Sequence, residues 1–262
     1  MQTLTRSGCG RILECEDRDP AAIATVVVEV AAQAGTVLVR GLDLSREAFR
    51  TMAHAAGDLS EHRFGSGSAD LLDLNADPDP GKVVTGRAAL PLHADGALVG
   101  TRPGIILLYA AEYDEQPGYG RTLVCDQSAA LVDIPAELRD EVLSANWEYW
   151  VEDESHFPTI AKRWISVPPV AEGEGGDALN IALPFPADSP IEGWRVRLAG
   201  RSLEESREPL DSFARFLESE EYCYRHEWQP GDLLAIDNRA VLHGREPISA
   251  TGKRHLYRAQ LR

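Results

Sequence analysis

The chain has 262 residues, 44% of them hydrophobic, enough to bury a full core in a single domain spanning residues 1–262. Its 42 acidic residues outnumber 26 basic ones, for a net charge of −16 that repels phosphate backbones and anionic bilayers, so neither nucleic acid nor membrane is an expected partner. No apolar run is long enough to span a bilayer and the opening residues lack the apolar centre of a secretory leader, so a cytoplasmic protein is expected.

In chain order, Asp19-Pro20, the run from Ala21 to Ala32 and then Gly35 read as a helix, with Asp before Pro at its start and Gly near its end. Thr36 to Gly41 reads as a short strand, and Asp43 or Ser45 can cap a second helix from Arg46 to about Gly57. Residues 61–89 lose periodicity around Gly65, Gly67, Asp77-Pro78-Asp79-Pro80-Gly81 and Gly86; so long a loop reads as a lid over a site or as surface disorder. Strands are expected at 104–110 and 121–125, then a helix from Ser128 to Ser144 that Pro135 bends or interrupts. Further strands are expected at 147–151, 162–167 and 179–185, with a hairpin or flexible loop at 172–177. An acidic amphipathic helix from Leu203 to Glu218 turns Leu210, Phe213 and Leu217 inward, and strands at 222–228, 233–237 and 254–261 close the chain. Many short strands with helices gathered early and in two insertions predict a mixed α/β but mainly β fold, a jelly roll with flanking helices.

The cysteines, Cys9, Cys15, Cys125 and Cys223, have no C-x-x-C spacing and read as reduced structural thiols. Chemistry concentrates instead at Leu90-Pro91-Leu92-His93-Ala94-Asp95-Gly96. On an extended segment, residues two apart face the same way, so His93 and Asp95 can reach one small cation. A second imidazole, His243 in Val241-Leu242-His243-Gly244-Arg245, would complete the two-histidine, one-carboxylate set of non-haem Fe(II) oxygenases, which leaves coordination positions open. The triplet by itself is weak: among seven histidines only His93 has an acid two residues on, about what chance supplies, and a surface His beside a turn Asp is the plain reading. Imidazole and carboxylate also suit zinc.

Five ordered segments carry a resemblance: Pro91-Leu92-His93-Ala94-Asp95-Gly96, Arg102-Pro103-Gly104-Ile105-Ile106-Leu107-Leu108-Tyr109, Gly118-Tyr119-Gly120-Arg121-Thr122, Pro230-Gly231-Asp232 with Asp237-Asn238-Arg239 and Leu242-His243-Gly244-Arg245, and Arg254-His255-Leu256-Tyr257-Arg258. Together they resemble the taurine dioxygenase and clavaminate synthase-like family of Fe(II)/2-oxoglutarate oxygenases. The resemblance implies a double-stranded β-helix, with His93, Asp95 and His243 as iron ligands. It implies Arg254 and Thr122 as contacts to the co-substrate 2-oxoglutarate. Arg254 suits that task chemically, because a planar guanidinium grips a carboxylate in two parallel hydrogen bonds. Arg258, four residues on and on the same strand face, is a candidate substrate contact.

The implied reaction uses O2 to oxidise a C–H bond of a small molecule while 2-oxoglutarate becomes succinate and CO2. Hydroxylation is the expected outcome, with desaturation or cyclisation as variants. Related halogenases lack the carboxylate ligand, so Asp95 disfavours halogenation. The substrate is left as a small molecule, amino-acid-like or carrier-bound, and the acidic charge leans slightly toward a cationic or zwitterionic one. Trp147, Tyr149, Trp150, His156 and Phe157 either line a pocket or pack in the core, with the core favoured, and His156 reads as structural or surface. A zinc enzyme that is not an oxygenase and a non-catalytic jelly-roll binding protein remain as alternatives.

Overall fold

The computed structural model describes residues 2–14, 19–61, 70–79, 82–154, 157–172 and 176–262. It opens with strand β1 (Arg11–Leu13), helix α1 (Pro20–Ala34), strand β2 (Thr36–Val39) and helix α2 (Arg46–Ala56). Asp19 accepts from the Ala21 amide at the start of α1, and Ser45 rather than Asp43 caps α2 through the Ala48 amide. Strands β3 (Leu72–Leu74), β4 (Leu90–His93), β5 (Ile105–Asp114) and β6 (Thr122–Asp126) follow. The single helix expected from 128 to 144 is two, α3 (Gln127–Asp133) and α4 (Ala136–Leu143). Pro135 separates them: its ψ of 138° is extended, and it has no amide to continue the helical ladder.

Next come β7 (Trp147–Trp150), β8 (Trp164–Val167), β9 (Val170–Ala171), β10 (Ala178–Leu179), β11 (Arg195–Leu198), helix α5 (Leu203–Leu217), and strands β12 (Cys223–His226), β13 (Leu233–Asp237), β14 (Val241–Arg245) and β15 (Lys253–Gln260). The strand expected over 179–185 pairs at its start with β9 and, at Ala182, forms a single antiparallel bridge to His93. Pro184 and Pro186 lack the amides a ladder needs, and the segment instead lies along β4, with the Ala94 amide donating to Ile181 O and the Leu183 amide to Leu92 O, both at 2.9 Å. Strand β11 was not expected. It completes a three-stranded sheet with β7 and β8.

Strands β9 and β10 pair antiparallel on either side of the stretch expected as a hairpin or flexible loop, 172–177, of which 173–175 lie outside the described residues. Inside the unperiodic stretch before β4, strand β3 pairs with β15 and Asp77 bridges to Gly86; 62–69 and 80–81 lie outside the described residues, as does His156.

Two sheets face each other. One is six-stranded in the order β1-β2-β13-β5-β15-β3, the other four-stranded in the order β12-β6-β14-β4. Between them Leu38, Ile106, Leu108, Leu234 and Leu256 of the larger sheet meet Val124 and Val241 of the smaller. The outer face of the larger sheet is covered by α1 and α2 through Ile23, Val27, Phe49 and Met52. The outer face of the smaller sheet, with Leu92, Cys125 and Leu242, packs on Trp147, Tyr149, Phe213 and Leu217. This is the jelly roll with flanking helices that the strand pattern predicts. Trp147 and Tyr149 are fully buried core, whereas Phe157 borders a cavity. Among the described residues no helix is long and apolar enough to cross a membrane.

Candidate metal centre

The smaller sheet builds the centre of the site. His93 ends β4 and His243 is the middle residue of β14; the two are paired directly across the antiparallel ladder, with ring centroids 4.3 Å apart. This contact spans 150 residues of sequence and rests on one strand pairing. Gly244 allows the strands to approach. A side chain there would place its Cβ 2.8 Å from the Leu90 carbonyl oxygen.

Asp95 reaches the imidazoles differently from the expected extended segment, because β4 stops at His93 and Asp95 lies in the turn that follows. That turn needs Gly96, whose φ is +84° and whose missing Cβ would fall 2.0 Å from the Thr101 carbonyl oxygen. Asn238, fully buried in the turn before β14, locks it: its side-chain oxygen accepts from the Asp95 amide at 2.9 Å, and its amide nitrogen donates to Asp95 O at 3.0 Å and Pro103 O at 2.9 Å.

One donor atom from each of His93, Asp95 and His243 lies within 4.8 Å of the others. Asp95 Oδ1 is 3.4 Å from His93 Nε2 and 3.8 Å from His243 Nε2. His93 Nδ1 lies 2.8 Å from the Pro91 carbonyl, which can only accept, so Nδ1 donates there and Nε2 is the nitrogen turned to the site. Burial, then charge on the neighbouring His93 imidazole, push His243 down to about 3, so His243 is neutral at neutral pH. Burial opposes the charge on Asp95, yet Arg258 and the two imidazoles outweigh it and hold the carboxyl well below its usual range. Two imidazole nitrogens and one carboxylate oxygen gathered this closely are a donor set suited to a divalent transition metal.

The second oxygen of Asp95 is already engaged. Oδ2 accepts from Arg258 Nη2 and, at 2.7 Å, from Gln260 Nε2, both on the inner face of β15. Arg258, a candidate substrate contact from its sequence position, is therefore placed against the carboxylate while also bordering the cavity.

Further along the same face, Arg254 is buried and donates through Nε to Gly120 O at 3.0 Å and through Nη2 to Thr122 Oγ1 at 3.2 Å. Thr122 Oγ1 also accepts from Trp228 Nε1 at 3.0 Å, so its own hydrogen is free to donate. Among the described residues no carboxylate pairs with Arg254. Burial, then the neighbouring Arg245, push it down to about 9. A buried guanidinium without an acid is costly unless an anionic ligand completes it.

Beside the triad opens a cavity of about 670 Å³ bordered by His93, Asp95, Arg258 and Gln260. Its apolar wall includes Ala94, Leu98, Phe157 and Trp194, and Trp194 lies 6.3 Å from the His93 ring, centroid to centroid. Ser60, Glu61 and Val84, which flank or belong to the expected lid, also border it. Three arginines, Arg102, Arg258 and Arg262, contribute against Asp95 and Glu61, so the cavity does not share the acidic sign of the whole chain.

Sequence reasoning overlooked Asn238, Gln260, Trp194 and Arg102 as site residues. Gln260 was the most accessible, two positions from Arg258 and hence on its strand face. Asn238 belonged to a recognised motif without an assigned task. Trp194 stands alone in a Gly- and Pro-rich stretch, where no periodicity marks it.

The model of a family described as taurine catabolism dioxygenase TauD, TfdA family, matches residues 12–260. The 3-((Z)-2-isocyanoethenyl)-1H-indole synthase of Fischerella ambigua is 27% identical over 228 residues, covering 86% of this chain and 81% of its own. The tyrosine isonitrile desaturase of Erwinia amylovora is 24% identical, covering 86% and 76%. The fold superposes on PvcB from Pseudomonas aeruginosa with a TM-score of 0.73 at 23% identity, covering 97% of this chain and 86% of that one. A second PvcB structure, described as an Fe, alpha-ketoglutarate dependent oxygenase from an isonitrile synthetic pathway, gives 0.69 at 22% identity over the same shares.

Proposed function

The chain belongs to the TauD/TfdA dioxygenase family, and from that premise we propose that His93, Asp95 and His243 hold the Fe(II) and that Arg254 with Thr122 holds the distal carboxylate of 2-oxoglutarate. The protein is an oxidoreductase that depends on Fe(II), 2-oxoglutarate and O2 and acts on a small molecule. Family membership leaves the zinc and non-catalytic alternatives without support. The observation that carries the assignment of residues is the convergence of three donor atoms beside a cavity of about 670 Å³.

With iron and 2-oxoglutarate bound, O2 would be the oxidant, drawing two electrons from 2-oxoglutarate as it becomes succinate and CO2 and two from the substrate as its C–H bond breaks. The residues do the positioning. His93 Nε2 is aimed by its Nδ1 bond to Pro91 O, and Asp95 is kept to a single donor oxygen because Arg258 and Gln260 occupy the other. Arg254 lies four residues from Arg258, about 13 Å along β15, with buried Leu256 between them.

For the substrate we infer an amino-acid-like small molecule whose apolar body rests on Leu98, Phe157 and Trp194. The names of the two curated relatives, one a desaturase and the other the synthase of an isocyanoethenyl indole, support desaturation as the outcome of C–H oxidation. Product mass separates the outcomes: hydroxylation adds an oxygen atom, desaturation removes two hydrogens.

The test of the site is an anaerobic titration with Fe(II) and 2-oxoglutarate, following the visible metal-to-ligand charge-transfer band. The band is expected in the wild type and absent in His93→Ala. Arg254→Gln is expected to weaken 2-oxoglutarate binding by about 10- to 150-fold, the range for losing hydrogen bonds to a charged group. A folded wild type without the band would overturn the assignment.

A further inference from the structure

Arg102 stands at the cavity wall between β4 and β5, half-buried and joined to the metal centre through Asn238. Asn238 binds the main chain of Asp95 with its side chain and receives Arg102 with its carbonyl, so one residue separates the guanidinium from the carboxylate ligand. Its bonds go to backbone oxygens: Nε and Nη2 to Asn238 O and Nη1, at 3.1 Å, to Leu179 O. Among the described residues no carboxylate forms an ion pair with it. A guanidinium has five N–H groups, so two remain, one on each terminal nitrogen. That is the two-pronged donor pattern a carboxylate matches.

The other two arginines of the cavity are less suited. Arg258 is committed to Asp95, and Arg262 is exposed at the end of the chain, where water competes for any anion. Burial, then the neighbouring cation Arg239, push Arg102 down to about 10 against the opposing charges of Asp237 and Asp95, which leaves it charged at neutral pH.

We propose that Arg102 is the residue that receives a carboxylate of the primary substrate, and so makes the enzyme selective for an acid over its neutral amide. This rests on the oxygenase reading of the site and specifies its substrate: a free carboxylic acid whose apolar or aromatic body lies against Phe157 and Trp194. Asn238 then serves both halves of the reaction centre, fixing the metal-ligand turn with its side chain and the substrate anchor with its carbonyl. A carrier-bound thioester, which has no free carboxylate at that position, fits the cavity less well.

The test uses the full chain with Fe(II) and 2-oxoglutarate under anaerobic conditions. The probes are N-formyl-L-tyrosine and its primary amide, their binding read from the shift each causes in the charge-transfer band and by calorimetry. The wild type is expected to bind the acid at least about tenfold more tightly than the amide, the effect of a charge-assisted bond. Arg102→Gln should bring that ratio close to one, and Arg102→Lys, which keeps the charge but not the fork, should fall between. The proposal is overturned if the wild type does not prefer the acid, or if Arg102→Gln keeps the preference. Absence of the band in the wild type before any probe is added would instead overturn the oxygenase assignment.

Discussion

Asp95 divides its work between two oxygens: Oδ1 faces the imidazoles, and Oδ2 is held by Arg258 and Gln260. If Arg258 chiefly aims this carboxylate, Arg258→Gln should lower Fe(II) affinity by about 10- to 100-fold, the usual cost of removing a partner of a metal ligand. A variant that kept wild-type metal affinity and lost only substrate affinity would return Arg258 to the substrate-contact role its sequence position suggested. The proposed roles of His93, Asp95, His243, Arg254 and Thr122 came from the ordered resemblance of five segments taken together, not from any one motif, since the triplet alone is about what chance supplies. The engagement of Asp95 Oδ2 was not legible in the sequence, since it depends on how close β15 comes to the turn after β4.

The pairing of β4 with β14 is the element on which the metal centre depends, and it tolerates little bulk. Gly244→Ala would place a methyl 2.8 Å from Leu90 O, forcing β4 away from β14 and separating His93 from His243. Overpacking of this kind costs about 1–3 kcal/mol. The expected result is a lower urea midpoint together with weaker Fe(II) binding. An unchanged Fe(II) titration would show that the strands adjust without moving the imidazoles. Most elements were readable from their caps and periodicity, as with Asp19-Pro20 at α1 and Ser45 at α2. The strand expected from 179 to 185 is present only as short pairings at Leu179 and Ala182, because Pro184 lacks the amide that would extend the ladder.

Across the whole molecule, a chain of net charge −16 buries Arg245, Arg254 and Arg258. Arg254 and Arg245 donate to oxygens without net charge: Arg254 to Gly120 O and Thr122, Arg245 to the Val83, Val84 and Ala88 carbonyls. The acidic surface and the basic interior are separate features, so net charge by itself does not fix the sign of charge the cavity prefers.

Stability against pH is also a property of the whole fold, and here the buried His226 contributes. Burial lowers its pKa more than Asp232, 3.2 Å away, raises it. Below about 6.5 the unfolded chain takes up a proton that the folded chain does not, so this histidine makes stability fall as pH falls through that value. Urea midpoints from neutral pH down to mildly acidic pH should therefore drop more steeply in the wild type than in His226→Gln; equal slopes would rule this contribution out.

The sequence by itself determined most of the elements, the layered β architecture and the candidate ligand types, because caps, periodicity and short motifs are local and survive in one dimension. Tertiary structure alone decided that His93 faces His243, that Asp95 acts from a turn with one oxygen already bound, and that arginines rather than acids border the cavity. The physical reason is that such contacts arise from strand pairing and sheet packing between residues as far apart as 150 positions, and no local spacing encodes the distance between two strands.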